Sequence, residues 1–252
     1  MTKIAVIPDT QVKPGVDTQY LENIGKYILE KKPDVIVHMG DHWDMPSLSS
    51  YDVGKKAFEG RRYKHDVEAG NAGMDALLRP ITAYNERAKA NHKPRYSPRK
   101  VFLMGNHENR INRAVNSDPK LEGTIGVEDL NLKGWEVYDF LEVALIGGIA
   151  FSHYFVTGVA GRPASTANAQ LNKKHMSCIA GHQQGMQIAT AERADGTRLT
   201  SIIAGSCYEH DEDYLGHQGN KHWRGFLMLH EVNDGQFDLM PLSLNYINQK
   251  YA

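Results

Sequence analysis

The chain has 252 residues, a formal net charge of -1, 41% hydrophobic and 23% charged residues. That balance fits one large α/β domain with a substantial core, and it excludes a disordered chain or a bilayer-spanning bundle. It also excludes a protein that coats nucleic acid or membrane by bulk attraction. The charge is uneven, however: between Gly54 and Lys100 twelve Lys or Arg stand against five Asp or Glu. A segment of this kind is either a solvated helical face or a contact for a phosphate polymer.

The N-terminal MTKIAVIPD reads as a short strand ending in an acid, without signal-peptide features, so a cytoplasmic setting is expected. Further short β-branched runs follow at 34–40 (DVIVHMG), 99–105 (RKVFLMG), 149–153 (IAFSH) and 177–182 (SCIAGH). The first three runs alternate with helix-like stretches and read as buried strands of βαβ units, whose C-terminal loops share one edge. Residues 55–98 are the longest interval between strands. They are expected to form a mainly helical cap beside the site, with Pro80 beginning or kinking a helix because it lacks an amide donor. Within this stretch Met74, Leu77, Leu78 and Ile81 recur at helical spacing, which predicts core packing. From Met186 onward the pattern changes to hairpins, with turns at Asp195-Gly196 and Asn233-Asp234-Gly235. The expected architecture is a single domain over 1–252: a four-layer α/β/β/α sandwich of two mixed sheets with a helical insertion. Cys178 and Cys207 sit in apolar stretches and suit buried free thiols.

Polar clusters follow the strand ends in order: Asp9-Thr10-Gln11, Gly40-Asp41-His42-Trp43-Asp44, Gly105-Asn106-His107-Glu108, His153, and Gly181-His182-Gln183-Gln184. Each pair or triplet is weak as a signal, but five in sequence on strand ends are specific. Hard oxygen donors mixed with imidazoles suit Mn, Fe or Zn, and a carboxylate can bridge two ions.

This ordered set resembles the calcineurin-like metallophosphoesterase superfamily, with its pattern D-x-H, G-D-x-x-D, G-N-H-D/E, a lone H and G-H-x-H. The resemblance spans Asp9 to Gln184. It implies that Asp41 bridges two divalent ions and that Asn106, His153 and His182 complete one metal position. The other position would take Asp9, Asp41 and two family histidines, which here are Gln11 and Gln184. An amide oxygen is a neutral, hard donor and a weaker one than imidazole, so this position should favour Mn2+ or Mg2+ over Zn2+. Gln in the first motif also occurs in the manganese-dependent ADP-ribose pyrophosphatase branch. The resemblance further implies that His107 faces the substrate phosphate as acid or charge stabiliser, oriented by Asp44. The reaction implied is in-line attack of an activated water on phosphorus.

Arg110 and Arg113 lie one helical turn apart on a helix expected to open near Glu108, so they form either a phosphate clamp or a salt-bridged surface pair. Residues 207–224 are rich in His, Asp, Glu and aromatics. They suggest a loop near the site in which Tyr208, Tyr214 and Trp223 line the cleft or anchor the loop, with a third metal as a further reading. The wording WDMPSLSSYD with GNHENRINR is similar to small bacteriophage-type members, which would place the protein in host cytoplasm. The leading functional expectation is a metal-dependent phosphodiesterase or nuclease acting on DNA or RNA, without membrane partners. Alternatives are a small-nucleotide phosphatase or pyrophosphatase, and a noncatalytic metal-binding module.

Overall fold

The computed structural model describes residues 2–252. In chain order the first half comprises β1 (Thr2–Ile7), α1 (Gln19–Lys31), β2 (Val35–His38), α2 (Tyr63–Ala90), β3 (Arg99–Leu103), α3 (Asn109–Ser117) and β4 (Glu136–Tyr138). The second half comprises β5 (Ala144–Ile146), β6 (Ile149–Ser152), α4 (Ala167–Lys174), β7 (Cys178–Ala180), β8 (Gln187–Glu192) and β9 (Arg198–Ile203). It ends with α5 (Gly216–Gly219), β10 (Gly225–Asn233), β11 (Gln236–Ser243) and α6 (Leu244–Tyr251). Two mixed sheets result, in the orders β11-β10-β1-β2-β3-β4 and β5-β6-β7-β9-β8.

The four central strands of the larger sheet are apolar on both faces because both are covered. Along β1, Ile4 and Val6 point into the layer between the sheets, with Val37, Phe151, Ile179 and Ile202. Ala5 and Ile7 point the other way, into a layer with Leu21, Ile24 and Ile28 of α1 and Met74, Leu77 and Ile81 of α2. This period of two is the pleat expressed as burial. A smaller apolar cluster around Phe155 and Cys178 lies on the smaller sheet, where α4 also packs. The result is the expected α/β/β/α sandwich. Both cysteines are free and buried.

Helix α1 stops where Lys32 takes a left-handed conformation (φ 47°) and Pro33 follows, because neither residue continues an α-helix readily. Of the two expectations for Pro80, that it begins a helix does not hold in α2. The helix begins at Tyr63 and runs through Pro80, which neither starts nor ends it. Packing against α1 and the sheet outweighs the missing amide there. Most of the interval 55–98 is therefore an outer-layer helix, and only the arm before it and its first turn reach the cleft. No helix among the described residues is long and apolar enough to cross a membrane.

Candidate metal centre and cleft

The polar clusters converge because each follows the C-terminal end of a strand at the same edge of the two packed sheets. Gln11, Asp41, Met45 and His182 all hold left-handed backbone conformations, with φ between 41° and 66°. Such residues persist only where the surroundings over-determine them, and they concentrate at functional sites. Two motif glycines make the approach feasible. A β-carbon on Gly40 would overlap the Leu103 carbonyl, and one on Gly105 would overlap the Asp41 carboxylate.

Ligand atoms of Asp41, His153 and His182 lie within 4.8 Å of one another. The His153 ring is fixed by its Nδ1, which sits 2.7 Å from the Met39 carbonyl and must donate to it. Its Nε2 therefore faces inward, 3.0 Å from Asn106 Oδ1 and 3.4 Å from Asp41 Oδ2. Asp9 Oδ1 accepts from the His182 amide at 3.0 Å, while Asp9 Oδ2 and Gln11 Oε1 are buried with no partner. Buried polar atoms are normally paired. Two orphaned hard oxygens beside this group are suited to a cation, so the donor set fits divalent metal. Gln184 behaves differently, because its Oε1 already accepts from the Tyr208 hydroxyl at 2.7 Å.

The charges of the group are tightly linked. Burial and the neighbouring Asp41 raise Asp9 to a pKa of about 7. Burial alone would depress His153, but Asp41 and Asp9 outweigh it and lift the imidazole to about 10. Burial and the His153 charge lower His182 to about 4. At pH 7 the metal-free site thus holds a protonated His153 that must lose its proton to bind metal. Calorimetric titration with Mn2+ at that pH is expected to release about one proton or more per fully loaded site. The release is read as heats that scale with the ionisation enthalpy of the buffer; heats independent of buffer would contradict this protonation state.

His107 Nδ1 lies 2.8 Å from Asp44 Oδ1, and its Nε2 lies 3.7 Å from Asp41 Oδ2. Burial opposes a charge on this ring, yet Asp41 and Asp44 raise its pKa. Asp44 also meets Lys13, whose Nζ stands 3.5 Å from Asp44 Oδ2 and 2.6 Å from Glu212 Oε1. Arg110 lines the cleft but donates to the carbonyls of Asp44 (2.7 Å) and Met45 (3.3 Å). Arg113 is exposed and does not line the cleft, so the two arginines do not form a joint clamp.

Several contributors were not legible beforehand. Glu108 accepts four backbone amides, from Asp41, His42, Trp43 and Gly105, at 2.7–3.0 Å. Burial and the Asp41 charge raise its pKa, but with both oxygens occupied by N–H donors the loop accommodates the ionised form. Beneath the site runs a one-way series of bonds. The Gly40 amide donates to His38 Nδ1 (3.3 Å), His38 Nε2 meets Thr10 Oγ1 (3.3 Å), Thr10 Oγ1 meets His42 Nδ1 (2.7 Å), and His42 Nε2 meets the Gly70 carbonyl (2.9 Å). Helix α2 thereby buttresses the second motif. Its Asn71 also accepts from the Trp43 indole at 3.1 Å, and its Asp66 accepts from the Ser47 amide at 2.8 Å.

The loop at 207–224 is near the site, as expected, but its aromatics part company. Tyr214 lines the cleft, Tyr208 is fully buried, and Trp223 packs against the inter-sheet core. His210 pairs with Glu212 (2.8 Å), and His222 bonds Ser206 Oγ and the Gly219 carbonyl (both 2.6 Å). These imidazoles are held by protein groups. The cleft itself measures about 1460 Å³ and extends from Asp41, His107 and His182 to the arm preceding α2.

A two-sheet sandwich with this cluster at one edge defines a phosphoesterase-like metal-binding class, and residues 2–190 match the calcineurin-like phosphoesterase family. The chain belongs to that family. A stretch of 79 residues is 35% identical to the Gene 54 protein of Mycobacterium phage D29, covering 31% of each chain. Another of 66 residues is 41% identical to the Gene 54 protein of Mycobacterium phage L5, covering 26% of each. The chain thus matches less than a third of the length of these relatives. A crystal structure of a conserved uncharacterized protein from Streptococcus pneumoniae TIGR4, titled a predicted phosphoesterase, aligns over 97% of this chain and 90% of that one. It does so at 12% identity and a TM-score of 0.39.

Proposed function

We propose that the protein hydrolyses phosphodiester bonds at two divalent ions held by Asp9, Gln11, Asp41, Asn106, His153 and His182, with Mn2+ preferred. The observation that carries this reading is the pair of orphaned oxygens on Asp9 and Gln11 beside the ligand atoms of Asp41, His153 and His182. Bound metal supplies a lowered pKa for water and neutralises the nonbridging phosphate oxygens. Asp41 would supply a carboxylate to both ions. Asp44 Oδ1, 2.8 Å from His107 Nδ1, attracts that side of the ring and leaves Nε2 for the leaving oxygen, and Asp41 and Asp44 raise the His107 pKa, which favours a proton on the ring. Gln11 supplies a hard amide oxygen. Gln184 is a weaker donor still, since Tyr208 uses part of its lone-pair capacity. This donor set disfavours Zn2+ at the first position.

A diester is favoured because the cleft runs well beyond the space a phosphomonoester needs. A small-nucleotide phosphatase or pyrophosphatase is the second reading, supported by Asp211, Glu212 and Asp213 along the cleft, which oppose a polyanion on that side. Turnover of mononucleotides without turnover of diesters or polymers selects it.

The test is to strip metal and assay bis-p-nitrophenyl phosphate with Mn2+, Mg2+ or Zn2+. Turnover is expected with Mn2+ above Zn2+. His107→Ala should lower kcat by about 10²–10⁴-fold on a diester with a poor leaving group, and far less on p-nitrophenyl esters, whose leaving group needs no proton. Absence of turnover with all three ions would leave a noncatalytic metal-binding module.

A further inference from the structure

We infer that the arm preceding α2 and the loop at 211–215 form a track for a single-stranded polynucleotide, with backbone phosphates along the arm and bases against two tyrosines. This deepens the hydrolase reading and rests on it for its chemistry, although binding is measured separately from turnover.

Charge comes first. Between Gly54 and Lys64 there are five basic residues and one acidic one. Lys55 and Arg61 share a single carboxylate, that of Asp52, at 3.0 and 2.7 Å. Arg62 spends one guanidinium nitrogen on the Arg61 carbonyl (2.8 Å) and makes no ion pair among the described residues. Lys55, Arg61 and Arg62 all line the cleft. On the cleft wall these three cations stand with the carboxylates of Asp52, Glu59 and Asp66, so the charge there is balanced and Arg62 is the cation left for a backbone phosphate.

Aromatic surface comes second. Tyr51 is 79% exposed and Tyr214 is 65% exposed, yet both line this same cleft from separate segments. Neither ring is needed to fill a core at that exposure. Tyrosines left bare in a groove beside cations serve as stacking platforms for bases. In the second segment Glu212 pairs with Lys13 (2.6 Å) and Asp211 with Arg224 (3.1 Å), which lessens the acidic charge there without removing it. Asp213 remains beside Tyr214, where a carboxylate suits exocyclic amines of bases and repels phosphates. The two walls thus differ in the way the two edges of a single strand differ. In a duplex the bases are stacked on each other and closed to the tyrosines, so duplex binding is disfavoured.

The test uses fluorescein-labelled 12-mers of single-stranded DNA, single-stranded RNA and duplex DNA, with anisotropy read in EDTA at two salt concentrations. Single strands are expected to bind more tightly than duplex, with affinity falling steeply as salt rises. Arg62→Ala and Tyr51→Ala should each weaken binding by about 10-fold, while leaving turnover of bis-p-nitrophenyl phosphate unchanged. A preference between DNA and RNA identifies the sugar. Duplex binding as tight as single-strand binding, or variants without effect, overturns the inference. Turnover of the small diester with no binding of any 12-mer overturns it too and leaves the hydrolase reading intact. Single-strand binding that tracks both variants without any turnover upholds the track and sinks the hydrolase.

Discussion

Asp41→Asn is expected to remove activity while leaving the fold in place. Asp41 sits at φ 49°, a left-handed conformation that asparagine adopts at little cost. Its amide would still donate to Glu108, and its Oδ1 could still accept from the His107 amide, now at 2.8 Å. What disappears is the charge that two ions would share. Altering groups that merely support a ligand commonly costs about 10–100-fold, so loss of a bridging carboxylate should exceed about 100-fold in kcat/KM. In metal-free protein the same change removes the strongest favourable charge acting on His153, so its pKa should fall. Turnover, metal stoichiometry and a thermal melt on one preparation separate the outcomes. A variant that melts normally and keeps near wild-type turnover would place the chemistry elsewhere.

The largest expected effect on stability is Gly70→Ala. A β-carbon at position 70 would lie inside the Trp43 indole, which is fully buried among Phe102, His42 and Met45. Neither partner can yield readily. The Gly70 carbonyl holds His42, and the Trp43 indole nitrogen is held by Asn71. Overpacking typically costs about 1–3 kcal/mol, and this site belongs at the upper end, a fall of about 5–10 °C in Tm. Since Trp43 immediately precedes Asp44, turnover should fall as well. Gly158→Ala is the matched control, because nothing lies near its β-position, and it should melt within about 1 °C of wild type. Equal melting of the two variants would mean that α2 does not brace the second motif.

The strands were legible because their apolar runs are uninterrupted, and the motif residues were legible because they follow those runs directly. Asp9, Asp41, Asn106, His153 and His182 needed no knowledge of distant contacts. What was hidden depends on which segments meet. Gly70 and Gly73 look like defects in a helix until Trp43, His42 and Val12 are seen against them. Lys13 and Glu212 are far apart along the chain, and nothing local predicts their ion pair. Arg110 and Arg113 have the spacing of a clamp, but only the rotation of α3 decides that one enters the cleft and the other faces solvent. Pro80 does not begin a helix for a related reason, since tertiary packing can carry a helix through a residue at which local propensity alone would break it.

The series of bonds from Gly40 to Gly70 runs in one direction, and that sets an acid limit on the protein. Each imidazole in it already accepts through one nitrogen and donates through the other, so a second proton on either must break a link. Burial, chiefly, depresses His42 from 6.5 to about 4 and His38 well below its ordinary value. In the unfolded chain both protonate near 6.5. Between about 6.5 and 4 the unfolded state therefore binds more protons, and stability falls as pH falls, by about 1.4 kcal/mol per pH unit for each such histidine. Mild acid loosens the ground under Asp9 and Asp41 through two rings that never face the cleft.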